Sequence, residues 1–208
     1  MKTDKSRQDD IRRPQQKRSR QRVDQILDAA RKIISEKGVT AVTITEIAEV
    51  AGVTPGSMYQ YFPNKAAIVD ALGTRYLDEF SQRLEAQMDA APQTAEEMIL
   101  AFETLIETDY QMSRNDPAMR DIWLGVATNW SLMEIFTAES HRNVATLVEA
   151  ARRLVRPSER DGLETAISLM FHFADTAIRV ALAKADEDGR PVIERAKAML
   201  RVIWFSMV

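Results

Sequence analysis

Two short helices locked to a fixed spacing by a glycine turn constrain this chain more than any other stretch. From Thr43 to Lys65 it reads Thr-Ile-Thr-Glu-Ile-Ala-Glu-Val-Ala-Gly-Val-Thr-Pro-Gly-Ser-Met-Tyr-Gln-Tyr-Phe-Pro-Asn-Lys. Thr43 and Glu46 have the spacing of a capping box, in which each side chain satisfies the other residue's backbone N–H. Ile44, Ile47, Ala48 and Ala51 recur at helical spacing. Gly52 ends the first helix, since glycine takes a positive φ at little cost. Thr54 caps the second, with Pro55 at its first position, where a missing N–H is harmless. That helix stops at Phe62-Pro63. Helices this brief cannot each bury a core face, so they must pack on one another and on a neighbour. Helix, glycine-containing turn, helix is the helix-turn-helix pattern.

The second helix has a readable inside. Met58 and Phe62 are four residues apart and apolar, which turns them to the core. Ser57, Tyr59, Gln60 and Tyr61 are left to face outward. Hydroxyls and an amide of this reach suit phosphate oxygens and base edges in a major groove. Packed inside a larger helical core, the same residues would be ordinary amphipathic surface, and spacing alone leaves both readings open.

The run Ile47-Ala48, Ala51-Gly52-Val53, Met58-Tyr59 and Tyr61-Phe62-Pro63-Asn64-Lys65 resembles the DNA-binding domain of tetracycline-repressor-type (TetR family) transcriptional regulators. The ending Tyr59-x-x-Phe62-x-x-Lys65 is its most specific part. The resemblance covers roughly residues 17 to 72; beyond that only length and helical character agree. It implies that Thr45, Ser57, Tyr59, Gln60 and Tyr61 read DNA. Thr43 and Thr54 then cap their helices and reach phosphate, and Gly56 stands where bulk would block close approach to the groove. Lys65 sits in the first turn of the next helix, where backbone amides also face an anion.

Charge is divided unevenly. The whole chain carries a formal −3, yet residues 1–65 hold 13 Lys/Arg against 8 Asp/Glu and residues 66–208 hold 15 against 23. A basic head on an acidic body is the electrostatic footprint of a nucleic-acid-binding head. Arg12, Arg13, Lys17, Arg18, Arg20 and Arg22 follow one another with no acid between them, and Arg18 is a candidate phosphate contact. Cysteine is absent, which excludes disulfides and thiolate metal sites and fits a reducing cytoplasm. No apolar leader and no uncharged apolar run of membrane-spanning length occurs, so a cytoplasmic protein that does not cross a membrane is expected.

The fold class expected is all-α, with about nine helices. Residues 1–16 read as a disordered basic tail, 17–64 as a three-helix helix-turn-helix domain, and 65–208 as a larger helical domain for effector binding and dimerisation. Helices are predicted over 18–37 (closed by Gly38), 65–88, 94–112, a short one from Pro117, 131–155, 160–184 and 191–205. The helix around residues 166–183 is apolar on nearly all sides, so it is buried from two directions. A single helix-turn-helix reads few base pairs, so a homodimer through the helices near 160–184 and 190–205 is expected, as a four-helix bundle across a two-fold. The resemblance implies the same arrangement.

The middle helices carry large, soft residues, a composition that suits either core or a pocket for a small apolar or amphipathic effector. Phe102, Met119, Trp123, Trp130, Met133 and Phe136 are the candidate lining, with His172 and Asp175 as polar anchors sharing one helix face. The resemblance favours an effector without naming it. An enzyme is not expected, nor a cofactor or metal: the chain has 2 His, no phosphate-binding glycine loop, no nucleophile elbow and no His pair at metal spacing. The reading is therefore a homodimeric repressor of a palindromic double-stranded DNA operator, released by its effector. A DNA-binding protein without an effector is the alternative.

Overall fold

The structure, a computed structural model, describes residues 5–184 and 186–208, with side chains described for 18–184 and 188–208. Among the described residues it is all-α, with nine helices and no strand. They are α1 (Lys5–Ala41), α2 (Ile44–Val50), α3 (Pro55–Tyr61), α4 (Lys65–Asp89), α5 (Ala95–Asn115), α6 (Pro117–Gly125), α7 (Trp130–Ala151), α8 (Leu163–Leu182) and α9 (Asp186–Phe205). The chain forms two compact units, Met1–Leu72 and Gly73–Val208, and the division falls within α4.

Part of the tail expected over residues 1–16 (Met1–Asp4) lies outside the described residues. From Lys5 the backbone is helical, where the sequence reading has no regular structure. Gln, Arg and Lys dominate this stretch; they are good helix formers, and extending an existing helix adds one hydrogen bond per residue. The side chains of Arg12, Arg13 and Lys17 lie outside the described set.

In the first unit, the stripe of α1 closes over the two short helices. Ile26, Ala30, Ile34, Ile47, Met58 and Ile68 are at most 1% exposed. Burying a side chain of the size of Ile or Met stabilises by about 1.5–3 kcal/mol, so most of the unit's stability comes from this cluster. Gly38 breaks the helical geometry of α1 with φ 79°, the glycine-only conformation its position predicts. Glu46 accepts the Thr43 N–H at 3.0 Å and the Lys37 ammonium, tying the end of α1 to the start of α2. The Lys37 hydrogen bond, then those from Thr43, hold the Glu46 carboxyl below its usual range.

In the second unit, α5, α7, α8 and α9 enclose a core that includes Ile99, Tyr110, Leu147, Ile167, Ile193 and Trp204. The Trp204 indole N–H donates to the Ala95 carbonyl at 2.8 Å, fixing the end of α9 against the start of α5. Gly73 permits α7 to approach α4, since a Cβ there would lie 2.3 Å from Leu132 Cδ1. Asp116 caps α6 through Ala118 N and Met119 N and accepts the Tyr76 hydroxyl at 3.0 Å. The α9 helix starts at Asp186, five residues ahead of Pro191, which reads as its first position. Gly189 in that early turn packs so tightly that a Cβ would lie 2.7 Å from the Ala181 carbonyl oxygen and 2.8 Å from the Tyr110 hydroxyl. That packing holds the turn helical despite the proline that follows. With the turn before it, α8 is long and apolar enough to cross a membrane by length and composition. Its Leu163, Ile167, Met170, Phe171, Ala174 and Ile178 are buried in the core.

Candidate nucleic-acid interface and effector pocket

The helix-turn-helix forms as its caps dictate. Thr43 Oγ1 accepts the Glu46 N–H at 3.3 Å, and the full capping box is present. Gly52 turns the chain with φ 64°. Thr54 Oγ1 accepts the Ser57 N–H at 3.2 Å at the start of α3. Met58 and Phe62 are buried, as their spacing requires. Their burial turns the rest of α3 outward: Tyr59 is 56% exposed, Gln60 is exposed and Ser57 half-buried. Thr43, Thr45, Thr54 and Gly56 are exposed as well. The face therefore combines hydroxyls, one amide and one bare backbone position, with no packing duty.

Two residues sit differently from the rest. Tyr61 is half-buried and lines a groove with Arg18, Gln21 and Arg22 of α1, so it faces the basic helix. Lys65 turns its ammonium onto the carbonyls of Val39 and Thr40, at 3.1 and 3.0 Å. Two of its three N–H groups are thereby engaged in joining α4 to the end of α1, a role that helix-end reasoning misses. Asn64 caps α4 by accepting the Ala67 N–H at 2.9 Å.

The second unit holds a narrow pocket with a cavity of about 50 Å³. Its apolar lining includes Leu77 and Phe80 of α4, Phe102 and Ile106 of α5, Trp123 of α6, Phe136 of α7, and Phe171 and Ile178 of α8. Phe80 and Phe171 meet edge to face at 5.9 Å between centroids, and Trp123 and Phe136 do the same at 5.9 Å. The polar lining is Asp109, Ser140, Asn143, Asp175 and Arg179. Arg179 pairs with Asp175 at 2.6 Å, one helical turn away. Burial nonetheless pushes the Asp175 carboxyl up to about 6, against the pull of Arg179. Burial does the same to Asp109, up to about 6; Arg83 opposes it and the charge of Asp175 adds to it.

Of the pocket candidates, Phe102, Trp123, Phe136 and Asp175 are brought together here. Met119 is buried but does not line the pocket, and neither does the half-buried Met133. Trp130 lies at the surface, 77% exposed, with its indole N–H on Glu134 at 3.0 Å. It is the first residue of α7, and the turn before that helix carries it outward. His172 packs edge-on against Phe171 at 5.7 Å, and Asp175 turns to Arg179 instead of to it. Burial, then the charges near His141 and Arg179, lower the His172 pKa. Asp109, Ser140, Asn143 and Arg179 are additions to the sequence reading. Asp109 had a signal, being a carboxylate on the same stripe as Phe102, Leu105 and Ile106. Among the described residues no group of three His, Asp or Glu is gathered as a metal site.

Outside the pocket, α8 and α9 leave an apolar stripe uncovered. Leu169 and Val180 on α8, and Met199, Val202, Ile203 and Phe205 on α9, are all exposed.

Comparison with known proteins agrees with this architecture. The family model for bacterial regulatory proteins of the tetR family matches residues 26–72, and the model for a tetracyclin repressor-like C-terminal domain matches residues 96–206. The nucleoid occlusion factor SlmA of Haemophilus ducreyi is 28% identical over 101 residues, covering 49% of this chain and 48% of that protein. The fatty acid metabolism regulator protein of Bacillus subtilis is 33% identical over 86 residues, covering 41% of this chain and 44% of that protein. The chain thus spans less than half the length of these curated relatives. A solved TetR-family transcriptional regulator from Streptomyces coelicolor shares the fold, with a TM-score of 0.59 at 24% identity over 90% of this chain and 99% of its own. With both family models in place and the second covering more than half of its length, the chain belongs to the tetR family of bacterial regulatory proteins.

Proposed function

We propose that this chain is a transcriptional repressor that binds a palindromic operator as a homodimer and is released by a small amphipathic effector. The observation that carries the reading is the outward face of α3. Tyr59 and Gln60 stand exposed on a helix whose inner face is fully spent on Met58 and Phe62, so only an external partner uses them. Arg18 and Arg20 are exposed and Arg22 is half-buried on α1 in the same unit, and they supply phosphate contacts. Thr43, Thr45, Thr54 and Ser57 supply hydroxyls, and Tyr61 joins the α1 contacts from its groove. Lys65 offers its remaining N–H to phosphate while bracing the unit.

The pocket supports effector control over a regulator without one, for which a filled second unit would be expected. The uncovered stripe on α8 and α9 supports dimerisation through those helices. An effector acts only through its differential affinity for the DNA-binding and released states. The test is retardation of DNA fragments from the gene's own upstream region at low salt. Specific retardation that competitor DNA does not abolish supports the reading. Retardation of no fragment overturns it.

A further inference from the structure

We propose that the pocket selects a small uncharged ligand with one hydrogen-bonding oxygen, the oxygen seated on the Asn143 amide. This rests on the reading of that pocket as the effector site and adds its chemical class.

Of the five polar residues in the lining, four are already committed. Asp175 is paired with Arg179 at 2.6 Å, and Asp109 with Arg83 of α4 at 3.6 Å. The Ser140 hydroxyl donates to the Phe136 carbonyl at 2.8 Å. Asn143 is the fifth. It is 3% exposed, and its amide has no hydrogen-bond partner among the described residues. Trp123 Nε1, Asp109 Oδ1 and Arg83 Nη2 also lack hydrogen bonds, but each is sealed from an approaching atom. The Asn143 amide is not sealed: the little surface it keeps belongs to the pocket it lines. A buried amide held so costs free energy that a hydrogen-bonding ligand recovers.

Three ligand classes can be ranked on this. The charges in the pocket balance, since each carboxylate stands beside a guanidinium. Both acids, raised by burial to about 6, are still predominantly ionised at neutral pH, so the balance holds there. An anion must draw Arg179 from Asp175, and a cation must draw a carboxylate from its guanidinium. Either exchange leaves a buried charge unpaired. An uncharged hydroxyl or carbonyl bonds Asn143 and breaks neither pair, so it ranks first. Size follows from the cavity of about 50 Å³. One buried water needs about 10–15 Å³ of such space, so about four non-hydrogen atoms fit. The rings of Phe102, Phe136 and Phe171 in the lining favour an apolar remainder.

The experiment uses four near-isosteric probes of that size at pH 7.5 and constant ionic strength: acetone, propan-2-ol, acetate and isopropylammonium. The chain's three tryptophans report separately, since Trp123 lines the pocket, Trp130 lies at the surface and Trp204 is bonded to Ala95. Their ¹⁵N-indole resonances in the full chain are followed up to about 100 mM probe, a range suited to ligands this small. Each titration is repeated with Asn143→Leu, which keeps the volume and removes the amide, and with Ala174→Leu, whose added carbons fill the cavity. Should Ala174→Leu not fold, the smaller Ala174→Val takes its place. The expected result is a saturable shift of Trp123 alone, with the alcohol and ketone at least tenfold tighter than either ion. Asn143→Leu weakens both by about fivefold, and Ala174→Leu removes them. An ion that binds as tightly as the uncharged probes, or uncharged probes indifferent to Asn143→Leu, overturns this selection; if Ala174→Leu still blocks them, the pocket stands as the effector site. A Trp123 shift with no probe, or one that the folded cavity-filled chain retains, overturns both.

Discussion

At the scale of single residues, two glycines of the helix-turn-helix are needed for different reasons. Gly52 holds φ 64°, which a side chain tolerates poorly. Gly56 has an ordinary φ, and a Cβ there meets nothing within 4 Å. Nothing among the described residues asks for glycine at 56, in keeping with its proposed place where DNA docks on α3. Gly56→Ala should raise stability by about 0.5–1 kcal/mol, because alanine loses less backbone entropy in a helix, while weakening DNA binding. Gly52→Ala should lower stability by about 1–2 kcal/mol. Thermal melts beside binding isotherms check both, and a Gly56→Ala chain with unchanged DNA affinity would remove Gly56 from the interface. Sequence reading is strongest where one residue has one physical job: the caps at Thr43 and Thr54 and the turn at Gly52 stand where their chemistry places them. It is weakest for large apolar side chains. Trp123 and Trp130 look alike in the sequence, yet one lines the pocket and the other lies at the surface, because a turn between α6 and α7 decides the outcome. Asp109 was legible as a charge on an apolar stripe, but its pairing with Arg83 of α4 at 3.6 Å required coordinates.

At the scale of elements, the sequence marks helices well and their joints less well. The apolar periodicity of α5, α7 and α8 is visible because each has one continuous buried face. The start of α9 is hidden because Gly189 packs against residues far away in sequence, on α5 and α8. The clamp between α5 and α9 is hidden for the same reason. Glu107 of α5 accepts hydrogen bonds from Arg190 and Lys197 of α9. Burial raises its carboxyl pKa, but Lys197, Gln111 and Arg190 outweigh that and hold it at about 2, against an ordinary 4.5. A lowered carboxylate pKa in the folded state means that this contribution is fully present above about pH 4.5 and is lost as pH falls toward 2. Glu107→Gln should therefore lower stability at pH 7 by about 1–2 kcal/mol, allowing for its partial exposure. The gap between variant and parent should close on acidification, as denaturant melts at pH 7 and pH 3 would show. A gap that is constant across that range would mean the clamp contributes packing and not charge.

At the scale of the whole molecule, one basic helix-turn-helix unit and one helical unit with a pocket account for the family's plan. The uncovered stripe on α8 and α9 is where a second copy is proposed to bind. A charge at its centre has no partner in a two-fold interface, where each residue meets its own symmetry-related surroundings. Val202→Glu, at a position 73% exposed in the single chain, should leave the fold intact and shift the protein to monomer in sedimentation. A Val202→Glu chain that sediments as the parent does would move the interface elsewhere. The proposed dimer would fix the DNA as well, since two α3 helices reading the major groove on one side of the duplex would need half-sites about 34–36 Å apart, one helical turn. The most direct measurement of the central claim is selection of bound sequences by the full chain from a pool of random duplexes. The predicted result is enrichment of an inverted repeat with half-site centres about 10–10.5 base pairs, or a multiple of that, apart. Enrichment of no motif, with binding that depends on salt but not on sequence, would contradict it.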